Sequence, residues 1–333
     1  MKAGIGLMMA FALASASVLA AETAAAKSED AAAAPASAPS LKPRPAEIEP
    51  LAPKSLMLDV VATGKRLIAV GDRGHILVSN DGKNWEQVEV PARAPLTAVS
   101  FPDADNGWAV GHDAVIVHTR DGGRTWILQN YQPQLEKPFL DVLFLDASKG
   151  FAVGAYGLFY KTEDGGTNWN EVTAPEVRGD ELHLYSIAKL GNGDLFVSGE
   201  QGLLAVSSDG GGTWKKVASP YEATLFGIVP HGEKGALICG LRGNAFVADD
   251  VRGGKWTQIV TDTKASLFGC AAIDENHAAL VGLSGTILVA DLASDTVKTL
   301  KGPVESAYSG VVRWQSGLIL AGEQGMQQIS IAP

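Results

Sequence analysis

The sequence predicts an all-β chain folded as a seven-bladed β-propeller of four-stranded antiparallel blades, closed by an N-terminal strand that completes the last blade. Three observations predict it. A Gly-x-x-Gly step entered from an apolar run recurs at Gly71, Gly111, Gly154, Gly199, Gly240, Gly282 and Gly322, and only Gly111-His112-Asp113-Ala114 loses its closing glycine. The first glycines stand 40 to 45 residues apart, the period of a four-stranded blade. Within each period, short apolar runs are bounded by Gly, Pro, Asn and Asp, as strands joined by tight turns are.

Taken in order, the chain opens with Lys2 and an apolar, small-residue run from Ile5 to Leu19, ending Val18-Leu19-Ala20-Ala21. A positive start, an apolar middle and small residues at the cut site make residues 1–20 a secretory signal. Secretion across the inner membrane into the periplasm follows as an expectation. Residues 21–46 are mostly Ala, Pro, Ser, Lys and Glu with no aromatic. That composition buries too little apolar surface to offset its ordering entropy, so a disordered linker is expected. Residues 47–333 are then the propeller, and about 285 residues leave no room beside seven blades for a second domain.

The second repeat shows the plan of a blade. Strand A is Leu96 to Phe101, the turn 102–107 follows, and strand B is Trp108 to Gly111. The His112-Asp113 turn leads to strand C, Val115 to Thr119, and Asp121-Gly122-Gly123-Arg124-Thr125-Trp126 turns the chain into strand D. Asp164 to Trp169, Asp209 to Trp214 and Asp81 to Trp85 repeat that last element. In this Asp-box the carboxylate accepts backbone N–H bonds, glycine supplies positive φ, and the tryptophan packs on the blade. Asp81, Asp121, Asp164 and Asp209, with Trp85, Trp126, Trp169 and Trp214, are therefore read as structural. The fifth repeat keeps only Gly253-Gly254-Lys255-Trp256 and the sixth has lost the box. The seventh runs out after its third strand, and Glu47 to Pro53 resembles the ends of D strands elsewhere, so this segment is expected to fill the open edge of the last blade.

The Asp-x-x-x-Gly-[Trp/Phe]-Ala-Val-Gly…Thr-x-Asp-Gly-Gly-x-x-Trp pattern stands at Asp103–Trp126 and Asp146–Trp169. It resembles the propellers of the photosystem II stability/assembly-factor family over all seven repeats. The resemblance implies binding of a protein partner during assembly of a membrane complex. Similar secreted propellers of non-photosynthetic bacteria are in some cases associated with resistance-nodulation-division transporters. Arginines grouped on one face mark the photosynthetic members. Here only Arg73 and Arg242 occupy B–C turns, while Glu200, Glu323, Ala155 and Leu283 fill the corresponding places.

Net charge is −10, with no Lys/Arg cluster, which disfavours nucleic acid and anionic lipid as partners. The D–A links and B–C turns of a propeller share one face, opposite the Asp-boxes. Partner binding is expected there, on Asp72, Arg73, His112, Asp113, Tyr156, Glu200, Gln201, Arg242, Glu323 and Gln324. Fourteen residues before each repeat glycine, strand A begins with Tyr185, Phe226, Phe268 and Tyr308 among other apolar residues. These are either a collar at the channel mouth, fit for a partner side chain, a small ligand or a lipid, or packing between blades. Cys239 and Cys270 lie in adjacent repeats, as buried thiols or a blade-to-blade disulfide. No cofactor is expected. His112, Asp113, Asp72 and Glu200 lack ligand spacing, so no metal is expected either. The alternative reading is a periplasmic sialidase- or glycosidase-like enzyme using Tyr156 and Glu200 on neighbouring blades. The sialidase Phe/Tyr-Arg-Ile-Pro motif, Gly-x-Ser-x-Gly and His-Glu-x-x-His are absent from the sequence, and the leading expectation is a non-catalytic, protein-binding propeller.

Overall fold

A computed structural model describes residues 42–331; the predicted leader, and the predicted linker up to residue 41, lie outside the described residues. Seven antiparallel sheets follow one another along the chain. Their A strands are Met57–Ala62, Leu96–Ser100, Phe139–Phe144, Leu184–Lys189, Leu225–His231, Leu267–Ala272 and Tyr308–Trp314. Each A strand lies beside those of both neighbouring blades, the last beside the first, so these strands line a closed ring. The B strands, such as Leu67–Gly71 and Gly107–Gly111, are buried along their whole length because both sheet faces meet a neighbouring blade. The D strands are short, and several are exposed and polar, as in Lys215–Lys216, which suits an outer edge that must not recruit another strand.

The core is divided into blade-to-blade seams. Ile68, Val70 and Ile76 of the first blade pack on Val99, Ala109 and Val117 of the second, and comparable clusters fill the other seams. The Asp-box tryptophans belong to these seams. Trp126 sits against Ile68 and Val70 of the preceding blade, and Trp214 against Phe159 of the blade before its own. The ring that the sequence assigned to its own blade is thus also the staple to the previous one.

Closure differs from the sequence expectation. The seventh sheet has three strands, Tyr308–Trp314, Gly317–Gly322 and Gly325–Ser330, and no described residue supplies a fourth. The Glu47–Pro53 segment lies at the seam between last and first blades, but as turns. Ala52 N–H donates to Glu49 O at 3.0 Å, Lys54 N–H to Leu51 O at 2.8 Å, and Ala52–Lys54 is a single 3-10 turn. Pro50 and Pro53 remove two N–H groups from the stretch, so it cannot feed a ladder. Farther out, Ala46 N–H bonds Val90 O of the first blade, at 2.9 Å. The ring is closed instead by burial, with Met57, Leu67 and Leu77 packed on Ile319 and Ala321, and by Ser309 Oγ–H donating to Met57 O at 2.9 Å.

Candidate functional site

The recurring glycines build the B–C face. In the first blade Arg73 (φ 54, ψ 24) and Gly74 (φ 72) are both left-handed, and His75 N–H closes the turn on Asp72 O at 3.0 Å. This is a type I′ hairpin, whose twist matches the strands it joins. The first glycine has a different reason. A Cβ on Gly71 would stand 2.3 Å from Leu56 O, the carbonyl that accepts Asp72 N–H at 3.0 Å. The equivalent bonds, His112 N–H to Pro95 O, Ala155 to Pro138, Glu200 to His183, Leu241 to Thr224, Leu283 to Ser266 and Glu323 to Ala307, tie every B–C turn to the D–A link beside it. The two sets of loops therefore form one face. In the second blade Ala114 takes the closing position at φ 49, where the longer link bonds Asp113 O through Gln132 N–H.

The left-handed position carries Arg73, Asp113, Tyr156, Gln201, Arg242 and Ser284. Arg73 is tied to Glu49 at 3.1 Å and approaches Asp72 at 3.7 Å, whereas Arg242, also exposed, makes no ion pair among the described residues. The position before it is partly committed to the scaffold. Glu200 accepts His183 N–H at 3.2 Å, Glu323 accepts Ala307 N–H at 3.2 Å, and Asp72 accepts Arg73 N–H at 2.8 Å. His112 and Gln201 are exposed, and Gln324 lies in the turn of the seventh hairpin. Asp113 sits by Tyr131, whose hydroxyl is pushed up by desolvation and by that carboxylate. Tyr156 is half exposed, with the Lys137 ammonium 5.8 Å from its ring centre.

The aromatic collar forms on blades four to six and is displaced on blade seven. Leu58, Thr97, Leu140, Tyr185, Phe226, Phe268 and Ser309 line a central cavity of about 250 Å³. Tyr308 does not; it is 1% exposed and packs on Ala279, Val281 and Leu320 in the seam. The seventh A–B hairpin is one residue shorter, so Tyr308 falls opposite Gly322 and Ser309 takes the bulged, inward place. The rings touch in series. Tyr156 meets His183 edge-on at 4.7 Å, Tyr185 meets Phe226 at 4.9 Å and 83°, and Phe226 meets Phe268 at 5.3 Å and 69°. His183 Nδ1 lies 4.0 Å from Glu200 Oε2 and 3.4 Å from the Tyr185 hydroxyl.

One layer below stand two carboxylates the sequence reading passed over. Asp59 accepts Val60 N–H at 2.7 Å and Val99 N–H at 2.9 Å; Asp141 accepts Val142 N–H at 2.7 Å and Ile187 N–H at 2.9 Å. Each links its blade to the next. Desolvation raises both, and carries Asp141, with Asp59 nearby, to about 7 despite those bonds. The signal was the tripeptide Leu-Asp-Val, repeated at 58–60 and 140–142 in two A strands. Cys270 lines the same cavity and, like Cys239, is a free thiol; the neighbouring Cys239 and burial push it well above the ordinary range.

On the opposite face the Asp-box carboxylates cap their own turns. Asp121 accepts N–H from Arg124 and Thr125, both at 2.9 Å, and Thr125 O–H at 2.7 Å. Asp81, Asp164 and Asp209 do the same with Asn84, Asn168 and Thr213. Asp291 accepts Ala293 N–H at 2.9 Å, so the sixth blade keeps a capping aspartate without the box. Partial desolvation of Asp121 is outweighed by the Thr125 bonds, which hold it at about 2. His75, His118 and His277 each place Nδ1 on a local partner, Ser55, Gln129 and Asp274. Among the described residues no three His, Cys, Asp or Glu side chains converge as a metal site, and no helix is long and apolar enough to cross a membrane.

The model of the family described as Photosynthesis system II assembly factor YCF48 matches residues 77–136 and 128–269, more than half of the chain. The Photosystem II assembly protein Ycf48 of Thermosynechococcus vestitus is 44% identical over 46 residues, 14% of this chain and 13% of that protein. The chloroplastic photosystem II stability/assembly factor HCF136 of Cyanidioschyzon merolae is 40% identical over 47 residues, 14% of this chain and 11% of that protein. The matched stretches thus span only about an eighth of those curated relatives. Among solved structures, YCF48 bound to a D1 peptide is 18% identical with a TM-score of 0.69, covering 88% of this chain and all of that one. The WD40 propeller of Doa1 is 11% identical with a TM-score of 0.65, covering 86% of this chain and 95% of that one. At these identities the structures speak for the propeller fold.

Proposed function

Because the chain belongs to the photosystem II assembly factor YCF48 family, we propose that it is an exported, non-catalytic propeller whose B–C face binds a segment of a protein partner. The observation that carries this reading is the ring of left-handed turn residues, alike in backbone and different in chemistry, held rigidly on the links. Such a surface varies what it recognises while its scaffold stays constant. A YCF48 propeller has been solved with a D1 peptide, which supports a peptide-binding role for the fold here. We assign the partner to a membrane complex, with a resistance-nodulation-division transporter as the specific case, and the place of action to the periplasm. Arg242 is the stronger candidate contact, because Arg73 is already engaged by Glu49.

The test uses the full chain carrying a photo-crosslinking residue at Arg242 or Gln201, with Lys83 on the Asp-box face as control. Crosslinks confined to the first two positions, and lost on Arg242→Glu at unchanged melting temperature, support the reading. Equal crosslinking from Lys83 removes the B–C face from it.

A second reading is favoured by one contact. His183 joins Tyr156 and Glu200, the two residues a sialidase-like mechanism would recruit. Hydrolysis of sialosides or aryl glycosides that disappears with Glu200→Gln establishes the enzyme; no turnover with intact partner capture leaves the binding protein.

A further inference from the structure

We propose that the channel mouth is a receptor for an alkylammonium group, the lysine side chain of a bound protein segment, held by the Tyr185, Phe226 and Phe268 rings above the Asp59 and Asp141 carboxylates. The inference rests on the same face being the partner surface, and adds the chemistry it selects.

Three observations converge on a cation. Tyr185, Phe226 and Phe268 come from consecutive blades and stand nearly perpendicular to one another, at 83° and 69°, with centres about 5 Å apart. In each of these contacts one ring's positive edge meets its neighbour's negative face, and a face left open to the cavity favours a positive charge within about 6 Å. The residues lining the cavity include Asp59 and Asp141 but no Lys, Arg or His, so no cationic side chain pairs with these carboxylates, and an ammonium beside them would favour the charged form that burial disfavours. At the rim, burial and then the nearby Glu200 carboxylate disfavour ionisation of the Tyr185 hydroxyl. A purely apolar guest would satisfy the rings and add nothing to the buried carboxylates, whereas a cation adds a favourable charge interaction with them.

The shape selects lysine over arginine. A guanidinium is planar and stacks on an open ring face, whereas consecutive edge-to-face rings offer a rounded recess. At about 250 Å³ the cavity admits one long side chain. The acidic chain, at −10 overall, favours cationic partners in general.

The test titrates full-length protein with N-acetyl-lysine methylamide and with its neutral isostere, N-acetyl-2-aminoheptanoic acid methylamide (the norleucine homologue), following heat or ring-proton shifts. The lysine probe is expected to bind about tenfold more tightly than the neutral probe. Phe226→Leu, which keeps apolar volume and removes a ring, should erase that ratio. Should Phe226→Leu fail to fold, Asp141→Asn should lower affinity for the lysine probe alone. Equal affinity for the two probes, or no saturable binding of either, overturns the proposal. Absence of lysine binding alongside partner capture that is still lost in Arg242→Glu would end this inference and leave the protein-binding reading standing. Lysine binding in a protein that captures no partner would do the reverse.

Discussion

A graded series of glycine-to-alanine substitutions tests how the B–C face is held. Gly64 has φ +82 and open space around an added Cβ. Alanine there meets only the left-handed penalty of roughly 1–2 kcal/mol, less about 0.5–1 kcal/mol regained because alanine restricts the unfolded chain. The net loss is about 0.5–1 kcal/mol. Gly157 has φ +67, and its Cβ would lie 3.2 Å from Arg178 O, so a few tenths of an ångström of movement add modestly to the same penalty. Gly74 has φ +72 and would place Cβ 2.1 Å from Ala92 O, a backbone atom of the D–A link. Overpacking of roughly 1–3 kcal/mol is added there, for a total of about 2–4 kcal/mol. Urea denaturation of the three variants, at unchanged m-value, should rank them Gly64→Ala, Gly157→Ala, Gly74→Ala in increasing loss. If Gly74→Ala is no worse than Gly64→Ala, the second glycine is required for φ alone, and the close seating of turn on link is not what fixes the face.

Further outcomes follow from the same geometry. Asp121→Ala should destabilise by roughly 1–2 kcal/mol in denaturant melts, the scale of lost turn hydrogen bonds, without affecting partner capture. The pH dependence has two opposing limbs. Asp141 has a folded value near 7, above its unfolded 3.8, so stability should fall as pH rises from about 4 to 7, and Asp141→Asn should remove that fall. Burial holds His118 at about 4, below its unfolded 6.5, so its contribution is lost as pH drops through that interval, and His118→Gln should flatten that limb in melts recorded at successive pH values. Native Cys270 should alkylate far more slowly than the unfolded chain at mildly alkaline pH, since Cys239 and desolvation disfavour its thiolate; equal rates by mass spectrometry would contradict the pairing of the two thiols.

The blade count and the two turn types were legible in the sequence because each is decided within a few residues. An Asp-box aspartate bonds N–H groups three or four residues ahead, and a type I′ turn needs left-handed backbone at adjacent positions. The 40- to 45-residue spacing then counts the blades without reference to their packing. Closure was not legible. The bond joining Ser309 to Met57 spans 252 residues, and whether Glu47–Pro53 became a strand depended on what the last blade offered it and on two prolines. The collar shows the same division. Blades four to six keep the spacing that turns Tyr185, Phe226 and Phe268 inward, while a one-residue contraction in blade seven rotates Tyr308 into the seam. Likewise nothing local shows that Arg73 is engaged by Glu49, 24 residues away, while Arg242 has no ion pair among the described residues. Sequence by itself determined the modules, because their bonds are short in range. Only the tertiary structure decided which side chains face the channel, where the ring is sealed and which charges stay free, because those depend on contacts between residues far apart in the chain.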